Sequence, residues 1–260
     1  MSQIQYTVRD QVAEIAFNNP PVNALTESLL DEYISALHRA RDDQQVGAVI
    51  VSSAVPGRFC AGLDLRAIHN GEAEVRGLVD RLYRQMTDAQ YALGKPSIAA
   101  VTGTALGGGM TMSISCDVII AANDATFGYP EIDSGVLPAI HFTHLPRIIG
   151  KHRAFELLFS GRSFAAAEAQ SLGLVSRVVP AAEVMATARA LAQTFCAKPR
   201  AVMRAGRQAF LNASEMGYRS AVNAAVDSFT AIAAQPEAQE GFAAFAQKRK
   251  PVWNASNTPS

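Results

Sequence analysis

Within the first 135 residues a strand-like run, a turn-rich loop and a helix-like run follow one another three times, and this recurrence sharply limits the folds open to the chain. Residues 46–53 (VGAVIVSS), 97–101 (SIAAV) and 117–121 (DVIIA) are short and apolar, the composition of strands buried on both faces. A sandwich would join such strands by tight hairpins, whereas parallel strands need crossovers of a dozen or more residues. The spacing therefore predicts parallel β–crossover–β units in an α/β fold. A hairpin precedes them, because residues 4–8 and 12–17 alternate in polarity around Arg9 and Asp10. Next, Thr26 is placed to cap a helix whose Leu29, Leu30, Tyr33, Ile34 and Leu37 recur at helical spacing. Val75, Leu78, Val79, Leu82 and Met86 form a second helical stripe, closed by Lys95-Pro96.

Beyond Pro180 the pattern is helical only, in Ala-rich stretches at 181–197, 200–211, 221–234 and 237–248. Helices with no sheet to cover must bury their apolar faces on the body or on another subunit, so self-association is expected. The tail at 254–260 reads as disordered. A chain of 260 residues can bury a sizeable core without disulfides or a structural metal. Its 23 basic and 23 acidic side chains cancel, which removes uniform attraction to phosphate polymers; no nucleic-acid partner is expected. Cys60, Cys116 and Cys196 contain no CxxC pair and suit a reducing compartment. No leader pattern opens the chain, and no run reaches the roughly 18 apolar residues of a membrane span. A soluble, cytoplasmic protein without a membrane partner is the expectation.

Two loops invite chemistry. Gly107-Gly108-Gly109 stands before a helix-compatible run, where glycines either let a ligand approach main-chain N–H groups or let the helix press on a sheet. Neither GxxxxGK[ST] nor GxGxxG is present, so this is no ordinary nucleotide loop. Residues 59–65 (FCAGLDL) follow a buried strand, at the end where open α/β folds bind ligands. Together the two loops can supply a pair of main-chain donors.

Five segments, PPVNAL (20–25), RFCAGLDL (58–65), GTALGGGM (103–110), CDVIIAANDATFGYPE (116–131) and SLGLVSRVV (171–179), resemble the crotonase superfamily, also called the enoyl-CoA hydratase/isomerase family. They occur in that family's order and spacing over essentially the whole chain. The resemblance implies a ClpP-like spiral of repeated ββα units at 1–195, binding acyl-CoA, and a helical trimerisation region at 196–260. It implies a homotrimer, or a hexamer made of two trimers.

The resemblance also implies roles for single residues. The N–H groups of Leu63 and Gly108 would form an oxyanion hole for an acyl-CoA thioester carbonyl, since proton transfer beside that carbonyl passes through an enolate. Pro21, Val22, Ala61, Asp64 and Leu65 fall in the family's CoA-binding segments, with Arg66 near the adenine. Glu131 is the implied proton-transfer carboxylate, against the plainer reading of a structural ion pair. Hydratases of the family carry a second carboxylate where this chain has Thr111, whose hydroxyl can position water but cannot act as a base near neutral pH.

One glutamate suffices for a 1,3-proton shift, and relatives that hydrate and cleave aromatic enoyl-CoA thioesters carry a hydroxyl residue at that position. Enoyl-CoA hydration or isomerisation is therefore expected. The alternatives are an aromatic enoyl-CoA hydratase/lyase and a non-catalytic acyl-CoA-binding trimer. None needs a metal or redox cofactor; coenzyme A enters as part of the substrate.

Residues 135–145 (GVLPAIHFTHL) depart from the family pattern. There His141 is a candidate substrate contact, against a satisfied helix-surface histidine, and His144 is a second candidate. Met110, Leu137, Ile140, His141, Phe142 and residues 68–75 are expected to shape the acyl pocket. Asp133 is either a second acid or a solvated loop residue. Cys60 and Cys116 read as core residues and Trp253 as a packing anchor. Lys198, Arg200, Arg204, Arg207 and Arg219 read as a solvated helix face, and Lys248, Arg249 and Lys250 as contacts to a neighbour's CoA phosphates.

Overall fold

The computed structural model describes residues 2–253; the expected disordered tail at 254–260 lies outside them. Strands β1 (Ile4–Arg9) and β2 (Val12–Phe17) form the antiparallel hairpin. Thr26 accepts from the Leu29 amide and so caps α1 (Glu27–Asp42), whose Leu29, Leu30, Tyr33, Ile34 and Leu37 are buried. Then β3 (Ala48–Ser53) and β4 (Gly57–Cys60) lead to α2 (Leu65–His69), α3 (Val75–Asp80), one π-turn at Arg81–Gln85, and α4 (Met86–Tyr91). Next, β5 (Ser97–Val101) and β6 (Gly103–Leu106) lead to α5 (Gly108–Ile114). Finally, β7 (Val118–Ala122) and β8 (Thr126–Gly128) lead through a 3-10 turn at Pro130–Ser134 to α6 (His141–Ile149) and α7 (Lys151–Ser160).

Three times, then, one strand enters a six-stranded sheet and the next enters a four-stranded one before the chain turns helical. The large sheet runs β1-β2-β3-β5-β7-β10 and the small one β4-β6-β8-β9, completed by β9 (Ser163–Ala165) and β10 (Arg177–Val179) with α8 (Ala166–Ser171) between them. Both are parallel except for the pairs β1–β2 and β8–β9. This is the ββα spiral, and it corrects the simpler β–crossover–β reading. Residues 57–60, 103–106 and 126–128 are second-sheet strands rather than loop.

The core lies between the large sheet and its covering helices. The five residues of β5 and the first five of β3 are buried, and α9 (Val184–Cys196) covers the sheet with Val184, Ala188 and Ala192. Full burial of a side chain such as Ile50 or Ile98 contributes about 1.5–3 kcal/mol. Cys60 and Cys116 are buried here, and burial pushes both thiols up to about 12, as suits inert core residues.

The chain ends in α10 (Arg200–Glu215), α11 (Tyr218–Ala233) and α12 (Pro236–Ala246). Neither α10 nor α11 has a fully buried residue, while Phe210 and Phe229 are each 72% exposed and Phe245 is 88% exposed. The basic face of α10 is not simply solvated. Arg207, 7% exposed, lies 2.8 Å from Asp117 and donates to the Gln90 and Tyr91 carbonyls. Arg200 donates to the Gln44 carbonyl and to Gln11. Arg249 is held by Glu240 at 2.6 Å, which occupies one of the cations expected to meet phosphate. Trp253 does pack: a Cβ on Gly241 would sit 3.4 Å from its ring. Among the described residues, no helix is long and apolar enough to cross a membrane.

Candidate active site

Strands β4, β6 and β8 lie side by side and parallel, with Cys60 beside Ala105 and Leu106 beside Gly128. Beyond their carboxyl ends the chain continues as Ala61-Gly62-Leu63, Gly107-Gly108 and Tyr129-Pro130-Glu131. Neighbouring strands are about 4.8 Å apart, so the three segments emerge as adjacent fingers. Gly62 has φ +94°, and a Cβ there would stand 3.1 Å from the Leu106 carbonyl oxygen and 3.2 Å from the Gly108 nitrogen. Only glycine allows the first finger to lie so close on the second.

Leu25 fastens the first finger from behind. Its N–H donates to the Gly62 carbonyl at 2.8 Å and its carbonyl accepts from Asp64 at 3.1 Å. Both bonds flank Leu63, whose own N–H has no protein acceptor among the described residues. Gly108 opens α5, where first-turn N–H groups lack intrahelical acceptors, and its N–H is likewise unpaired among the described residues. Two free main-chain donors therefore stand on touching loops.

The third finger brings Glu131, whose side chain is 16% exposed. Burial raises its carboxyl above the ordinary value, and its Oε2 has no hydrogen-bond partner. Tyr83 stands near enough that the Glu131 charge, after burial, raises its phenol. Tyr83 was not among the residues singled out by sequence, because it interrupts no motif and sits in an otherwise helical stretch.

Behind Glu131 lies His141, with no exposed surface. Its Nε2 is 3.7 Å from Glu131 Oε1 and 3.5 Å from Thr111 Oγ1; its Nδ1 is 3.2 Å from His144 Nε2. Tyr129 packs edge-on against its ring at 4.5 Å. Burial pulls His141 down to about 3 and His144 down to about 4. The Glu131–His141 contact is accordingly a carboxyl beside a neutral imidazole, not an ion pair.

A cleft of about 200 Å³ opens in front of Glu131 and the two donors. Ala61, Leu63, Leu65, Gly108 and Glu131 line it, and Ile68, Val75, Val79, Leu82 and Leu137 supply apolar walls. Thr111 and His141 do not line it: both are buried behind Glu131 and the first turn of α5, which corrects the expected acyl contact for His141. Met110 is in the core, Phe142 stacks on Phe159 at the surface, and Ile140 stands apart from the walls.

Asp64 caps α2, accepting from the Arg66 and Ala67 amides. The Val22 carbonyl accepts from Ala61, so residues 21–22 support the first finger, while Pro21 and Arg66 are exposed outside the cleft. Asp133 points away, its carboxylate pressed against Gly161. Among the described residues no His, Cys, Asp and Glu cluster is arranged to hold a metal.

The same architecture recurs in solved proteins. An enoyl-CoA hydratase from Bacillus anthracis superposes with a TM-score of 0.91 at 30% identity, covering 98% of this chain and 100% of that one. DspI of Pseudomonas aeruginosa does so with a TM-score of 0.90 at 26% identity, over 98% and 97%. Fold and finger geometry thus define a protein of the crotonase class.

Sequence comparison narrows this. The family model described as enoyl-CoA hydratase/isomerase matches residues 7–256. A probable enoyl-CoA hydratase, echA8, of Mycobacterium tuberculosis is 37% identical over 254 residues, 94% of this chain and 95% of its own. The human enoyl-CoA hydratase domain-containing protein 2, mitochondrial, is 36% identical over 247 residues, 92% and 84%. The chain belongs to the enoyl-CoA hydratase/isomerase family.

Proposed function

We propose that this protein binds an acyl-CoA thioester with its carbonyl oxygen between the N–H groups of Leu63 and Gly108, and that Glu131 moves the proton beside that carbonyl. The reading rests on one juxtaposition: two unpaired donors next to a carboxylate with an unpartnered buried oxygen. Donors fixed in place before reaction need no reorganisation as negative charge grows on the oxygen, and each is worth about 2.7–4 kcal/mol in such sites. Burial that raises the Glu131 carboxyl favours its taking up a proton, as a group that must both take and return one requires. Apolar walls at Val79, Leu82 and Leu137 match an acyl chain.

Only Glu131 brings a carboxylate to the cleft among the described residues, and the Thr111 hydroxyl faces His141. Both features favour a 1,3-shift of the double bond. Hydration is the second reading, supported by relatives named as probable enoyl-CoA hydratases. Incubation with 2-enoyl-CoA and 3-enoyl-CoA separates them: loss of the conjugated chromophore means hydration, its appearance means isomerisation. Binding without turnover of either would favour the aromatic lyase or the non-catalytic trimer. Self-association belongs to the same proposal, supported by the exposed Phe210, Phe229 and Phe245; light scattering at the mass of one chain would refute it.

A further inference from the structure

We propose that Glu131, His141 and His144 form a proton relay joining the floor of the cleft to solvent at α6, so that Glu131 exchanges its proton while the acyl group fills the cleft. The inference rests on the reading of Glu131 as the proton-transfer carboxylate. Its basis is geometric. A side chain with no exposed surface normally fills its space with carbon, because burying an imidazole has a desolvation cost. His141 instead turns both nitrogens toward polar groups, Nε2 toward Glu131 and Thr111 and Nδ1 toward His144, with the Gly107 carbonyl also within reach of the ring. The two histidines are three residues apart on α6, hence on one face, and His144 is part-exposed where His141 is sealed. Tyr129 holds the His141 ring from the side. Glu131 thus has two borders, the cleft in front and the histidine pair behind.

The transfers balance. After Glu131 takes a hydrogen from carbon as a proton, the electron pair stays with the enolate and Glu131 is a carboxylic acid. Its proton passes to Nε2 of His141, the Nδ1 proton of His141 passes to Nε2 of His144, and part-exposed His144 gives up its own Nδ1 proton, held at the Ile140 carbonyl, to water. Each ring gains one proton and loses one, so neither is left charged. A solvent proton returns along the same bonds in reverse. Burial keeps both rings neutral, with one N–H and one lone pair each, the state this exchange needs. The 3.7 Å separation of Glu131 from His141 must close by under about 1 Å, a tightening usual when a site is filled.

His141 and His144 are positioning residues here, acting through Glu131, and their signature is isotopic. The full-length protein is incubated in D₂O with 3-hexenoyl-CoA, or with hexanoyl-CoA to follow exchange beside the carbonyl, and deuterium per turnover is read by mass spectrometry. The wild-type product should carry solvent deuterium in most turnovers. His144→Phe and His144→Gln, each checked by circular dichroism, should lower deuterium per turnover by about tenfold or more, because hydrogen is returned before it can escape. A merely structural histidine would alter the rate but not this ratio. Unchanged deuterium in a folded variant, or wild-type turnover without deuterium, overturns the relay. Absence of both turnover and exchange in the wild type overturns the assignment of Glu131 itself.

Discussion

The carboxylate of Glu131 rests against the backbone of Gly107, so that a Cβ on Gly107 would lie 3.1 Å from Oε1. Gly107 also has φ +52°. Alanine there must adopt a strained backbone and push the carboxylate aside. Gly107→Ala is expected to cost about 1–3 kcal/mol in stability, measured by urea unfolding. It should also lower kcat about 10²-fold, since displacement of a reacting group by an ångström has that effect.

On the proposed function, Glu131 couples activity to stability with opposite signs. Burial raises its value in the fold, so between the ordinary and the raised value the native protein binds more protons than the unfolded chain. Stability contributed by this group is therefore full below the ordinary value and falls as pH rises through the raised one. Glu131→Gln should lose about 10²–10⁴-fold in kcat, yet be more stable than the wild type above that interval. Urea midpoints from pH 4 to 9 and the acid limb of kcat/KM check both halves.

The two histidines govern the acid side. Both are neutral in the fold and held to about 3 and about 4, whereas the unfolded chain protonates them near 6.5. Their contribution is complete above 6.5 and is lost as pH falls toward the folded values, because the unfolded chain takes up protons first. In a Glu131→Gln background, which removes the opposing carboxyl, stability plotted against pH should show an uptake approaching two protons on unfolding between these limits, and His141→Leu should remove about one.

Arg207 clamps α10 to the sheet. Its guanidinium reaches Asp117 and two carbonyls, and Asp117 in turn accepts from the amide and hydroxyl of Ser97. Arg207→Ala should cost about 3 kcal/mol by urea denaturation, as breaking a largely buried pair does. Arg207→Lys should rescue little, because one ammonium cannot span three acceptors in that fork.

Five strands of the large sheet and the helices that cover it were legible because their apolar periods run for five residues or more, whereas its sixth, β10, has only three residues and was not. Strands β4, β6 and β8 were not, since three or four residues beside glycines carry no measurable alternation. Yet these strands align Leu63, Gly108 and Glu131, so motif resemblance identified the residues while their adjacency came only from pairing. Arg207 read as solvated because its partners are about 90 and 116 positions away. His141 was picked out for the wrong contact: an unusual local sequence flagged it, but only packing shows that it faces Glu131 from behind.

Both donors of the cleft belong to the main chain, whereas its carboxylate, that of Glu131, is a side chain. No single-codon change can delete the N–H of Leu63 or Gly108 unless it introduces proline or distorts the loop, but one nucleotide can replace Glu131 or Thr111. On the proposed function, grip on a thioester is thus mutationally robust and the reaction performed on it is not. In a lineage built on these three strand ends, the electrophile should be inherited and the chemistry frequently reinvented.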